Sequence, residues 1–260
     1  VQLRTGMLFL SLSFLSAWEI LCRLLKIPAF LLPSPLGIAS ALAGNVPLLL
    51  RHGIVTLEEI VLGVAGAVSA AIPLALAMFA RPSLERGLTP LLVSSQAVPV
   101  FALAPILVFW LGYGMAGKIL VAGLVIFFPI TVALLDGLKS CDPDLEDLFL
   151  LMGASYSARL RLLYFPQALP WFFSGLRVGV TVSTIGAVIG EWVGAQKGLG
   201  YLMLQANARL RTDLVFACVA LLSVIGLSLW FGLGWIETKL LSWREPLLRF
   251  SPTKKRRSFN

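Results

Sequence analysis

Long apolar stretches separated by short polar ones run through this chain, and their lengths predict membrane-spanning helices. Residues 7–25, 60–80, 88–111, 119–135, 171–190 and 214–236 are each long and apolar enough to cross a hydrocarbon core. Each must be helical, because lipid offers no partner to an unpaired backbone amide. A seventh apolar stretch, 29–50, is interrupted by Pro33, Pro35, Asn45 and Pro47. It reads as a short helix lying at the membrane surface, with Ser34 as N-cap and Pro35 at the first helical position.

Composition fixes the class. Of 260 residues 58% are hydrophobic and only 13% charged, with a mean hydropathy of +0.90. Soluble domains are about half apolar and a quarter charged, so this is an all-α integral membrane protein. Cys22, Cys141 and Cys218 have neither metal-ligand spacing nor a disulfide framework and read as packing residues. The first span contains Glu19 and no small-residue cleavage site follows it, which argues against a cleaved signal peptide.

The positive-inside rule sets an expected orientation. With a cytoplasmic N-terminus, the 21 Lys and Arg residues divide roughly 14 inside to 7 outside, Arg177 lying near the inner boundary. Both termini are then cytoplasmic. The net charge of +8 follows largely from the same rule and from the tail Lys254–Arg257, which reads as a lipid-surface contact rather than a nucleic-acid site.

Between the fourth and fifth spans lies a polar island, residues 142–170, which no lipid-facing segment would hold. Asp142 is a good N-cap, Pro143 suits the first turn, and Asp144, Glu146 and Asp147 complement the positive end of a helix dipole. Leu145, Leu148, Phe149 and Met152 recur at helical spacing. Gly153 permits a left-handed residue that ends this helix, and a second helix is expected from about Ser155 until Pro166 stops it. The product is a helix–turn–helix elbow facing the cytosol. It is either a surface for a soluble partner or a loop packed on its own protein.

The island resembles the signature of ABC importer permeases: EAA, three residues, Gly, nine residues, Ile, one residue, Leu-Pro. Here Asp147-Leu148-Phe149, Gly153-Ala154, Leu163 and Phe165-Pro166 keep every interval, while several identities differ. The segments 31–35, the Thr56-Leu57 opening of span two, and 99–114 are similar to the nitrate, sulfonate and taurine group of these permeases. Residues 190–217 most resemble permeases for thiamine-precursor pyrimidines. The resemblance implies a six-span type I permease fold with a coupling helix between spans four and five, docked on an ATPase through Asp147, Leu148, Phe149, Gly153, Ala154, Leu163, Phe165 and Pro166. It also implies a second permease copy, ABC ATPase subunits, an extracytoplasmic solute-binding protein and a bacterial inner-membrane location. The expected solute is a hydroxymethylpyrimidine-type precursor, with nitrate, sulfonate or taurine, and riboflavin as alternatives. The expected division is a first span (1–27), an extracytoplasmic segment (28–53), a core permease domain (54–240) and a basic tail (241–260).

No GxxxxGK[ST] phosphate cradle occurs, so ATP-driven transport needs a separate chain, and no cofactor is expected. An enzyme is disfavoured, since His52 is the only histidine and no nucleophile set or HExxH is present. A secondary carrier would normally show paired repeats. Candidate pathway residues are Ser95, Gln96 and Pro99 in the proline-interrupted third span, and Glu191 with Trp192 at the end of the fifth. Ser95 and its neighbours line a polar route or pack helices. Glu191 faces a cavity or substrate, or pairs with a cation such as Lys197. Trp192 reads as an interfacial anchor. Glu19 is expected to pair with Arg23, and Arg177 to reach lipid headgroups. The glycines Gly175, Gly179, Gly186 and Gly190 serve either a dimer seam or internal packing.

Overall fold

The computed structural model describes residues 2–243, and these form helices joined by short turns. The basic tail around Lys254–Arg257 lies outside the described residues. In order the helices are α1 (Gln2–Leu24), α2 (Pro35–Gly44), α3 (Val46–Ala80), α4 (Pro82–Ala97), α5 (Val100–Leu111) and α6 (Met115–Lys139). There follow α7 (Pro143–Leu151), α8 (Tyr156–Arg159), α9 (Phe165–Gly194), α10 (Leu199–Ala208) and α11 (Thr212–Leu240), with one π turn, Leu160–Tyr164, between α8 and α9.

Among the described residues, four helical stretches are long and apolar enough to cross a membrane: Val46–Ala80, Met115–Lys139, Tyr156–Gly194 and Thr212–Leu240. The pair α4 and α5 makes a fifth if counted as one broken span, since the chain bends by 98° between them. α1 covers the first expected span with 23 residues. The expected surface helix forms as α2: Ser34 accepts the Gly37 N–H at 3.2 Å and Pro35 opens the first turn. Glu19 pairs with Arg23 at 2.7 Å and also accepts the Leu36 N–H, tying α1 to the start of α2.

Three expectations change. Span two begins at Val46 rather than residue 60, because Pro47 sits in the first turn of α3, where its missing N–H costs nothing. Span three is not one kinked helix but breaks at Val98-Pro99. Pro99 disfavours helical geometry at Val98, which sits at φ −81°, ψ 120°. Pro166 does not stop the second helix of the elbow. It lacks an N–H and its ring crowds the preceding turn, and the helix widens into the π turn just before it and continues to Gly194.

The bundle is held by α6 and α9, which lie close along their lengths, with α3 packed against both. A Cβ at Gly186 would stand 2.9 Å from Ala122 Cα, and one at Gly179 would stand 2.8 Å from Ile126 Cγ2. The glycine stripe therefore packs the subunit internally. Three apolar clusters stack along the bundle. One joins α2, α10 and α11 through Leu199, Leu202, Leu214 and Cys218. A middle one holds Ile126, Ile130, Phe173 and Val180. The third, around Met78, Leu134, Leu138, Leu163 and Tyr164, sits beneath α7. Cys22 and Cys218 are buried, as packing residues should be.

Candidate transport and coupling sites

The elbow is built as its sequence dictates. Asp142 Oδ1 accepts the Asp144 N–H at 3.0 Å, capping α7. At the other end Gly153 has φ +71°, a left-handed conformation that costs other residues more. The Ala154 N–H bonds the Phe149 carbonyl and the Gly153 N–H bonds the Leu150 carbonyl, which closes the helix in a Schellman arrangement. Ser155 then caps α8 by accepting the Ala158 N–H.

No residue of α7 is buried. Leu148 is 49% exposed, Leu151 87% and Met152 75%. The stretch Tyr156–Gly194 has 39 residues, about 58 Å of helix, nearly twice a hydrocarbon core. At least one of its ends therefore extends beyond the bilayer, and α7 is joined to its N-terminal end. Of the signature residues, Asp147, Leu148, Gly153 and Phe165 are exposed and Ala154 and Pro166 are half-buried. Phe149 turns back onto the cluster beneath, and Leu163 is buried within it. Leu163 thus anchors the base of the elbow instead of lining its outer surface.

Glu146 braces the elbow. Its carboxylate accepts the Tyr164 hydroxyl at 2.5 Å and pairs with Arg159 at 3.3 Å. The Tyr164 ring meets Phe79 of α3 edge-on, with centroids 4.9 Å apart. α7 is therefore tied across the glycine turn to the π turn and to the body of the bundle. The nearby Cys141 thiol is pushed up by burial and by Glu146 and Asp142, so it is a poor nucleophile.

Farther along α9 an open groove of about 980 Å³ lies between α5, α9, α10 and α11. Phe101, Trp192, Trp230 and Phe231 contribute aromatic surface to it, and no charged side chain lines it. The hydroxyls of Thr181, Thr184 and Ser223 donate back to carbonyls of their own helices. Arg177 stands beside the groove, stacked 4.1 Å over Trp230 and paired with Glu237 at 3.2 Å. It has partners inside the protein, contrary to the expected headgroup contact.

The other pathway candidates separate. Ser95, Gln96 and Pro99 are exposed at the α4–α5 break and do not line this groove, whereas Trp192 does. Glu191 is only 1% exposed. Its Oε1 accepts the Thr56 hydroxyl at 2.6 Å, and its Oε2 accepts the N–H groups of Gly200 at 2.5 Å and Tyr201 at 3.2 Å. It therefore caps α10, and Lys197 is not its partner. Gly198, at φ +116°, passes so close that any Cβ there would overlap the carboxyl. Beside this cap is a buried contact that sequence reasoning missed, Lys118 of α6 donating to the carboxyl of Glu59 of α3. The Glu58-Glu59 doublet falls just ahead of the expected second span, residues 60–80. Only the earlier start of α3 carries it inside.

A family of binding-protein-dependent transport system inner membrane components matches residues 63–242. A probable ABC transporter permease protein of Haemophilus influenzae is 44% identical over 223 residues, covering 85% of this chain and 91% of that protein. The formylaminopyrimidine transport permease protein ThiX of Halalkalibacterium halodurans is 41% identical, covering 88% and 91%. Among solved structures, one described as an amino acid ABC transporter with histidines has the same fold, with a TM-score of 0.59 at 14% identity, covering 77% of this chain and 96% of that one. With the helical bundle and the signature spacing, these similarities bear out the resemblance to importer permeases: this chain belongs to the binding-protein-dependent ABC permease family and is a transport component rather than an enzyme.

Proposed function

We propose that the chain is the membrane subunit of an ATP-driven importer for a small, neutral, planar heterocycle of the thiamine-precursor pyrimidine type. In this reading the chain crosses the membrane six times, counting α1 and the broken α4–α5 pair, with both termini and the elbow in the cytoplasm, the side that the positive-inside rule favours. Two copies bind two ATPase subunits through α7 and receive solute from an extracytoplasmic binding protein. The observation that carries this reading is the elbow itself: an apolar tip, Leu148, Leu151 and Met152, standing in water on a braced lever. Isolated exposed apolar residues are ordinary, but a contiguous set on a rigid projection fits a protein partner.

ATPase closure pushes on α7. The Glu146 brace passes that push to the π turn and on to α9, which packs against α6 and also borders the groove. A second copy facing the groove completes a passage. The solute class follows from the lining. Aromatic faces accept a planar ring by stacking. A sulfonate or nitrate entering there would lose its hydration and find no charged side chain in the lining, the Thr181, Thr184 and Ser223 hydroxyls being turned to carbonyls of their own helices and Arg177 beside it being paired with Glu237. The pyrimidine named in the ThiX relative has the favoured chemistry. Riboflavin shares the planar character and is the second reading.

The test is uptake by the complete transporter in proteoliposomes, with hydroxymethylpyrimidine, riboflavin and taurine as competing solutes. Competition by the pyrimidine alone supports the proposal. Competition by taurine overturns the solute class, and uptake that proceeds without ATP overturns the importer reading.

A further inference from the structure

The buried polar cluster between α3, α6, α9 and α10 contains an imbalance that transport does not explain. Glu191 has the surroundings of an ionised carboxylate. Three donors converge on it, two of them backbone N–H groups in the first turn of the ten-residue helix α10. Glu59 has the opposite surroundings. Lys118 serves its Oε1, while its Oε2 is buried and bonds no donor among the described residues. Thr56, which donates to Glu191, and Glu59 lie one turn apart on α3, and Gly190, next to Glu191, packs against the backbone of Lys118, so both carboxyl groups belong to the same buried cluster.

Charge counting gives the same answer. Glu59 is fully buried, Glu191 is 1% exposed and Lys118 nearly as hidden. Two carboxylates against one ammonium would leave an uncompensated negative charge in the interior, which is costly. Among the described residues, the other groups facing the cluster supply no second cation. Cys218 approaches Glu191 from α11, and Glu58 adjoins Glu59. His52 Nδ1 lies 3.0 Å from both the N–H and the carbonyl oxygen of Gly198, and no hydrogen bond joins it to either carboxyl among the described residues. Arg51 and Lys197 are exposed.

We propose that Glu59 is held as the neutral acid and donates its proton to Glu191, so that the two carboxyls and Lys118 form one charge-balanced clamp. The proton turns the orphaned Oε2 into a donor, gives the Glu191 carboxylate its fourth hydrogen bond, and leaves the Lys118 charge matched by Glu191 alone. The clamp pins α10 and the turn at Gly198 to α3 and α6. Both glutamates act as positioning residues, with no contact to solute. The proposal stands apart from the solute and from the elbow.

Infrared spectroscopy of the full-length chain in lipid nanodiscs tests it. The wild type should show a carboxylic-acid C=O band that shifts on carboxyl-¹³C glutamate labelling and is absent from Glu59→Gln. A glutamine amide is the size of the acid, can accept from Lys118 and can still donate to Glu191. Glu59→Gln should therefore unfold within a few degrees of wild type. Glu191→Gln should be markedly less stable, because an NH₂ group then faces donors. No labelled acid band in the wild type, a band that survives Glu59→Gln, a Glu59→Gln chain that fails to fold, or equal tolerance of both amides would each overturn the assignment.

Discussion

The two ends of α9 break opposite rules. At its N-terminal end, beyond the π turn, α7 holds leucines and a methionine exposed on the surface of the subunit. At its C-terminal end, about 45 Å away, Glu191, Glu59 and Lys118 are sealed inside. Places where a chain departs from local consistency are where function or strain is expected. The difference lies in what completes each end. The exposed apolar tip lacks a partner within the subunit, which is what the proposed docking on an ATPase would supply. The buried charges find almost every partner within the subunit, so they fix its own architecture.

The harshest way to break this contrast is at the turn. Gly153→Pro fixes φ near −65° where +71° is required and removes the N–H that bonds Leu150. ATP-dependent uptake should be lost altogether, together with ATPase co-purification, while the spans still insert. At the opposite end, Glu191→Ala strands the Thr56 hydroxyl and two backbone N–H groups. Thermal or denaturant unfolding should register a loss of roughly 3 kcal/mol or more, because each stranded buried donor costs about 1–3 kcal/mol. If that variant instead kept its stability and lost only solute affinity, Glu191 would belong to the pathway and the contrast would fail.

Tyr164→Phe is subtler. It removes one short hydrogen bond to Glu146, about 1 kcal/mol, but leaves the ring on Phe79. Assembly should survive while solute moved per ATP hydrolysed falls severalfold, a ratio measured on the complete transporter in proteoliposomes. Leu151→Ser should be the mildest for the fold, within about 0.5 kcal/mol of wild type, since the residue is 87% exposed. It should still weaken ATPase binding measurably. An unchanged affinity would remove the tip from the docking surface.

Much of the elbow was legible because its signals are local. Asp142, Gly153 and Ser155 act on backbone groups within three residues, so sequence neighbours suffice to place them. The Ser34 cap and the Glu19–Arg23 pair are of the same kind. Pro166 misled because a proline's effect depends on whether the helix can widen, and the packing of Leu163 and Tyr164 on α3 and α6 holds it there. Glu59 was invisible for a related reason. An acidic pair at the edge of a hydropathy window looks solvated, and only Lys118, fifty-nine residues away, makes its burial tolerable.

The chain's order of residues therefore determined, by itself, the membrane class, the caps and the turn of the elbow, because hydropathy and backbone capping act over one helix or a few residues. Tertiary structure decided which acids are sealed, that the glycine stripe serves α6, that Arg177 meets Glu237 and Trp230, and where the third span breaks into two directions. Those outcomes depend on the close approach of surfaces distant in sequence. The free energy of a buried charge or a glycine contact exists only once both surfaces have met.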